Sequence, residues 1–439
     1  MIFIQNVKKF TQSKFVRNVT IVATGTAMAQ AVGVAFTPVI TRLFGPEAFG
    51  LMGTFLSLGT IAASVSALTY PLAIVLPKKD SVAKDIARLS IYISLGMASL
   101  AALLIIIAGD RLFALIGAQA ITAYAMLIPL KMLFSAWLRV AQQWFIRKKS
   151  FKATAKIEVL QSLLLNSAKI GIGWFKPIAA VLILVSTFGI GLHVLMFYLS
   201  TGKVDELKRK SDEGEKRKAT SIIKVARKYY DFPLYRAPVV FIDDISASLP
   251  VLMLSAFFGP VSAGFYVLGH KLLKAPSKLI GKSVANVFYP KITKAAHNGK
   301  NLRRIIINAT IGLAAVGFMP YAAVVIFGPW IFKFIFGTEW VMAGEYARWM
   351  AFMLFFQFIA RPSGVAIVTL GLQKGFLVYE LISTAFKISI LYAGFAIYKS
   401  EIAAVALFSL SGVLSHMVLM CWVIVSSEKV IRKERYSDE

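Results

Sequence analysis

From Val19 to Val425 the chain is a succession of apolar runs of roughly 20 to 30 residues, joined by short stretches rich in Gly, Pro and charge. A run of that length crosses the hydrocarbon of a bilayer as a helix, with every backbone polar group satisfied within the segment. With 58% apolar and 13% aromatic residues among 439, the chain reads as an integral membrane protein. Twelve spans are predicted, near 19–43, 47–77, 83–108, 119–145, 153–175, 177–199, 229–258, 261–290, 303–327, 341–371, 375–398 and 401–426.

A net charge of +28 in a soluble chain would suggest nucleic acid as a partner. Here the distribution of the charge matters more than its size. The loops on the side of the N-terminus hold most of the Lys and Arg, and those on the other side hold five, Arg42, Arg111, Lys176, Lys333 and Lys399. That asymmetry predicts both termini in the cytoplasm, membrane lipids as neighbours and no nucleic-acid partner. The stretch 201–228, "TGKVDELKRKSDEGEKRKATSIIKVARK", has mixed charge and no apolar period before its end. It reads as a cytoplasmic linker facing anionic headgroups, between a six-helix lobe at 1–200 and another at 229–439.

The two lobes echo one another. "FGPEAFG" (Phe44 to Gly50) and "FGPVSAG" (Phe258 to Gly264) share Phe-Gly-Pro-x-x-x-Gly after the first and seventh spans. Tyr70-Pro71 matches Tyr289-Pro290, and Lys149-Ser150-Phe151 matches Lys374-Gly375-Phe376, in the same order along each half. With six spans per half, both halves enter the membrane from one side, which predicts parallel repeats with substrate between them.

Charged groups inside the spans point toward function. A charge facing lipid costs at least about 2.5 kcal/mol, so such groups face the helix bundle or reach an interface. "GHKLLKAPSKLIGKSVANVFYPK" carries Lys271, Lys274, Lys278 and Lys282 within an arc of roughly 80° on a helical projection. Such a stripe suits a phosphate or pyrophosphate group. Pro276 interrupts the same helix, as at a hinge or site. Arg236 belongs with the embedded cations, and the fifth and eleventh spans each pair an acid with a deeper lysine: Glu158 with Lys169, and Glu380 with Lys387. Those four either bind sugar hydroxyls or line a wet cleft. Asp243 and Asp244 are the candidates to bind a coupling H+ or Na+, and no other cofactor is implied. Pairing among all these charges, merely joining helices, is the competing explanation. Asp244 and Lys274 lie at equal depth on either side of the turn at Gly259, so they are expected to face each other or a shared cavity.

Catalytic signatures are not found. "IDDISAS" lacks the second aspartate cluster of a metal-pyrophosphate prenyltransferase, and there is no P-loop or HExxH. His193, His270, His297 and His416 lack ligand spacing, and Cys421 is the sole cysteine, so no metal site is predicted. The chain is not expected to be an enzyme.

"TPVITRLFGPEAFGLMGTFLSL", "LAIVLPKKD", "YYDFPLYRAPVVFIDDISASLPVLMLSAFFGPVSAGFYVLGHKLLKAPSKLIGKSVANVFYPK" and "FIFGTEWVMAGEYARWMAF" together resemble the oligosaccharide flippase (polysaccharide transporter) branch of the multidrug/oligosaccharidyl-lipid/polysaccharide exporter superfamily. The resemblance covers nearly the whole chain. It implies an all-α, twelve-helix transporter of the bacterial inner membrane that moves polyprenyl-pyrophosphate-linked oligosaccharide units between leaflets. It also implies a polysaccharide polymerase and a chain-length regulator as partners, and a headgroup-binding role for Lys271. The chain departs from the branch at Thr69 and Pro71, where members carry Arg and Glu. The alternative on the same fold is a cation-coupled exporter of drugs or small amphiphiles. An exporter of organic cations would have an acidic cavity, whereas this one is basic.

Overall fold

The computed structural model describes residues 14–209, 222–298 and 301–437; the side chains of 14–23, 203–209, 276, 278–287, 290, 297 and 429–437 lie outside the described set. The described residues are helical with no strand, and each predicted span is met by helix. In chain order the helices are α1 (Lys14–Leu43), α2 (Pro46–Val65), α3 (Asp80–Leu115), α4 (Leu127–Arg147), α5 (Phe151–Phe175), α6 (Ala179–Arg209), α7 (Ile222–Lys228), α8 (Ala237–Phe258), α9 (Pro260–His297), α10 (Leu302–Phe336), α11 (Val341–Ile359), α12 (Arg361–Thr369), α13 (Gln373–Tyr398) and α14 (Glu401–Ser437). Among the described residues, eight spans are long and apolar enough to cross a membrane on composition alone. The other four helices, α1, α4, α5 and α9, include those bearing Lys131, Lys169 and the lysine stripe. Their polarity is what a helix lining a polar interior needs.

The repeat has a local cause. Pro46 opens α2 and Pro260 opens α9, each at the first helical position, where the missing N–H would have had no partner anyway. Three spans depart from single straight helices. The second span stops at Val65, because Leu68 and Thr69 take left-handed backbone (φ 45° and 57°), and a 3-10 turn follows at Tyr70–Val75. Each of those residues stores on the order of 1–3 kcal/mol of strain. The tenth span breaks at Ala360, since Pro362 has no N–H to offer the carbonyl four residues back. A π turn at Phe232–Arg236, containing Pro233, precedes α8. Part of the linker is also structured, since α6 continues to Arg209 and α7 covers Ile222–Lys228.

The chain falls into two compact units, Met1–Ala256 and Phe257–Glu439. In the first, Tyr70, Ile74, Ile86, Phe145 and Phe197 form a core on which Val225 of α7 is docked. Tyr70 donates to Ala226 O at 3.2 Å, and Thr69 Oγ1 to Phe232 O at 3.0 Å, tying the turn after α2 to the segments leading into α8. In the second unit, Phe288, Ile292, Ile306, Ile367, Leu419 and Val423 build the corresponding core. The equivalence is incomplete, because Tyr70 is buried whereas its repeat counterpart Tyr289 is exposed. Within that unit α10 and α11 approach backbone to backbone: a Cβ at Gly344 would stand 2.6 Å from Pro329 Cα and 2.7 Å from Gly328 O. Lipid supplies no hydrophobic drive between helices, so close approach of this kind takes its place.

One guanidinium closes the end of the first unit. Arg147 donates to Asp80 Oδ1 at 2.8 Å and to the carbonyls of Ile74, Pro77 and Lys78 at 3.1, 2.6 and 3.2 Å. Lys148 pairs with the second oxygen of Asp80. The Arg147 side chain is only 9% exposed, and the carbonyls of Ile74 and Pro77 that it serves are partly buried, so its removal leaves acceptors unpaired. Arg147→Ala is expected to cost about 3 kcal/mol and several degrees of melting temperature. Arg147→Lys should recover less than half of that loss, because one ammonium cannot reproduce a planar fork. Thermal unfolding of the purified protein measures both. An unchanged Tm in Arg147→Ala would refute the clamp.

Candidate functional site

The first unit gathers charge around α4. Lys131 is 4% exposed, and its ammonium donates to Leu56 O of α2 at 2.7 Å and to Thr60 Oγ1 at 3.2 Å. Gly59 makes this possible, since a Cβ there would sit 2.5 Å from Lys131 Cδ and 2.8 Å from Nζ. Two turns further along α4 comes Arg139. Asp244 of α8 lies in the electrostatic field of Arg139, Asp243 and Lys131, and Asp243 in that of Arg236. The two predicted carboxylates are therefore set among three cations, and Arg139 was not among the predicted set. It lies close to the basic end of its span, where depth along a helix is hard to read from sequence.

On α5, Glu158 accepts from Thr26 Oγ1 of α1 at 2.8 Å, and Lys169 is half-buried. Eleven residues of helix separate this acid and lysine by roughly 16 Å, so they do not form a pair of their own.

In the second unit, the matching acid and lysine do share one enclosure. Glu380, Ser383 and Lys387 of α13, with Tyr379, line a cavity of about 300 Å³. Gln357 and Arg361, on either side of the break at Ala360, and His416 of α14 complete its polar wall. Lys387 lies in the field of Glu380, and His416 in the fields of Lys387 and Arg361. Gln357 Oε1, Arg361 Nε and His416 Nδ1 are enclosed with no hydrogen-bond partner among the described residues. His416 had no ligand spacing in the sequence. The helix break and the packing of α14 bring it here, a long-range effect with no local signal. Arg348 of α11 is engaged locally, binding Glu345 Oε2 at 3.2 Å and Val325 O at 2.8 Å.

The lysine stripe sits on α9. Gly269, Leu273 and Ser277 form the face by which α9 packs in its own unit: a Cβ at Gly269 would meet Met350 Cε at 2.6 Å, and Tyr321 bonds both Ser277 Oγ (2.6 Å) and Leu273 O (3.3 Å). Measured from Leu273, Lys274 and Lys271 fall at roughly 100° and 160° on the helical wheel. The stripe is thus turned away from the core of its unit, with Lys271 exposed and Lys274 half-buried. The side chains of Lys278, Lys282 and Pro276 lie outside the described residues, while α9 itself is continuous through all three positions.

An all-helical, polytopic chain with charged stripes and polar cavities held among its spans has the build of a membrane transporter. The chain belongs to the polysaccharide biosynthesis protein family, whose model matches residues 39–345. No match is found among curated proteins. The fold is similar to that of the lipid II flippase MurJ in its inward closed conformation (TM-score 0.71, 11% identity, covering 94% of this chain and 90% of that one). It is also similar to a multidrug resistance MATE family transporter of the MOP superfamily, inward-facing (TM-score 0.65, 13% identity, 95% and 99% covered). A third similar structure is a MOP superfamily transporter from Pyrococcus furiosus with reversed polarity of its binding pocket (TM-score 0.60, 13% identity, 94% and 96% covered). The fold is that of MOP-superfamily transporters.

Proposed function

We propose that this protein flips polyprenyl-pyrophosphate-linked oligosaccharide across the bacterial inner membrane for assembly of a surface polysaccharide. The observation that carries this reading is the lysine stripe of α9, turned away from the core that α9 itself builds. A face of ammonium groups suits a doubly anionic group, and a pyrophosphate supplies several acceptor oxygens to which they can donate. The sugar portion takes the polar positions, with Arg236, Lys169 and Glu158 in the first lobe and Lys387 and Glu380 in the second. The polyprenyl chain stays in lipid. The lobes at 1–200 and 229–439, joined by 201–228, rock to expose the substrate to each side in turn, with both termini cytoplasmic. Asp243 and Asp244 hold the coupling H+ or Na+. A polysaccharide polymerase and a chain-length regulator act downstream.

Membership of the polysaccharide biosynthesis family supports this, and so does likeness to a protein described as a lipid II flippase. The drug-exporter alternative draws on the MATE likeness, but the surplus of embedded cations opposes it for cationic drugs. The purified protein is to be placed in liposomes with a fluorescent polyprenyl-pyrophosphate oligosaccharide, and lipid exposed on each face read with an impermeant quencher. Faster equilibration than in protein-free liposomes is expected. Equal rates, with or without a cation gradient, would remove the flippase reading.

A further inference from the structure

A groove in the first unit lies apart from the residues of the candidate functional site. It measures about 400 Å³ and is walled by Lys84 and Arg88 of α3, Trp137 and Trp144 of α4, and Tyr198 and Thr201 of α6, with aliphatic side chains between them. Lys84 and Arg88 are one turn apart and both exposed. Lys84 Nζ stands 5.8 Å from the centre of the Trp144 ring, and Lys148 Nζ stands 5.3 Å from it. The nearby acids are already engaged: Asp80 by Arg147 and Lys148, and Asp85, itself buried, by Arg88 at 3.5 Å. Cations therefore exceed acids at this end. Trp144 is 8% exposed, and neither its indole N–H nor that of Trp137 has an acceptor among the described residues.

We infer that this groove binds one anionic phospholipid, with its phosphate against Lys84 and Arg88 and an acyl chain along the apolar wall. An apolar trough ending in two cations and indole rings matches a molecule whose charge and chain join at the membrane surface. A zwitterionic lipid offers the same chain but no net charge to the cations. The groove lies at the ends of the helices that join the basic loops around Lys78 and Lys149. Only the leaflet rests on the proposed topology, which makes it the cytoplasmic one.

The test uses the full chain in nanodiscs containing phosphatidylcholine, into which phosphatidylglycerol or phosphatidylcholine brominated on the acyl chain is titrated. Quenching at the groove is the difference between the parent protein and Trp137→Phe with Trp144→Phe. Brominated phosphatidylglycerol is expected to quench at a mole fraction roughly tenfold lower than brominated phosphatidylcholine. Lys84→Gln with Arg88→Gln should erase that preference in a protein that still unfolds cooperatively, at a somewhat lower melting temperature because Asp85 loses its partner. Equal quenching by the two lipids, or a preference surviving in the Lys/Arg double variant, overturns the inference. Relief of quenching by an equal mole fraction of polyprenyl phosphate also overturns it, by giving the groove to the carrier lipid. If the tryptophan variants fail to fold, native mass spectrometry of lipids retained by the parent and the Lys84/Arg88 variant makes the same comparison. Transport is not read in these measurements, so failure of the flippase reading and failure of the lipid site are separate results.

Discussion

Replacing Lys271 and Lys274 together by Ala abolishes transport of the lipid-linked oligosaccharide, while the protein still folds and reaches the membrane. Leu273, Ser277 and Gly269 pack α9 against its own unit, and both lysines lie on the other side of the helix. Cooperative unfolding is expected to persist in the double variant. The main loss falls on the substrate. A hydrogen bond to a charged group contributes roughly 1.5–3 kcal/mol, so two lost ammoniums weaken pyrophosphate binding by about 10²–10⁴-fold. Lys271→Arg with Lys274→Arg keeps the cations and should retain most of the activity. Flipping in liposomes and thermal unfolding of the same preparations separate the two effects. Undiminished transport in the double Ala variant would end the assignment of the stripe.

What the sequence made legible was whatever depends on local pattern. Run length gave the twelve spans, since satisfying the backbone in lipid leaves few other solutions. Phe-Gly-Pro gave two helix starts, because proline's missing N–H is harmless only there. The lysine stripe was readable because a face is a matter of period, and the structure leaves it on the side of α9 opposite Leu273. The breaks were less visible. Thr69 and Leu68 are ordinary residues forced into left-handed backbone by the contacts of the Tyr70 turn, and no local preference announces it. Long-range partners were least visible of all. Glu380 and Lys387 were predicted together from spacing on one helix, whereas Arg361, Gln357 and His416 join them only through the break at Ala360 and the packing of α14. Arg139 reaches Asp244 by the same kind of route, across helices far apart in the chain.

Asp244→Asn is expected to stop transport in a protein that still melts cooperatively, and Lys131→Met to cost more in stability than in any single step of transport. Lys131 is nearly fully buried, and removing its ammonium takes the donor from Thr60 Oγ1, leaves Leu56 O with the Thr60 hydroxyl alone among its side-chain donors, and leaves Asp244 short of a counter-charge. The loss should be about 2–4 kcal/mol. Lys131→Arg is no remedy, since the passage beside Gly59 is already filled by the lysine stem. Gly59→Val tests the same fit from the other side: its added carbons would stand where Lys131 Cδ and Nζ now lie, so it should reproduce much of the Lys131→Met loss with the lysine still present. A double-mutant cycle decides whether Asp244 is a tie or a coupling group. If it only balances Lys131 and Arg139, the Asn and Met changes should couple by roughly 1–3 kcal/mol in stability, and the pair should regain the transport that Asp244→Asn lacks. If it carries the coupling ion, the coupling in stability remains, but transport stays lost in the double variant and no longer responds to a proton or sodium gradient. The second outcome is the one expected, because Asp243 beside it supplies a second carboxylate that a purely structural tie would not need. Restored transport in the double variant would reduce Asp244 to a strut between α4 and α8.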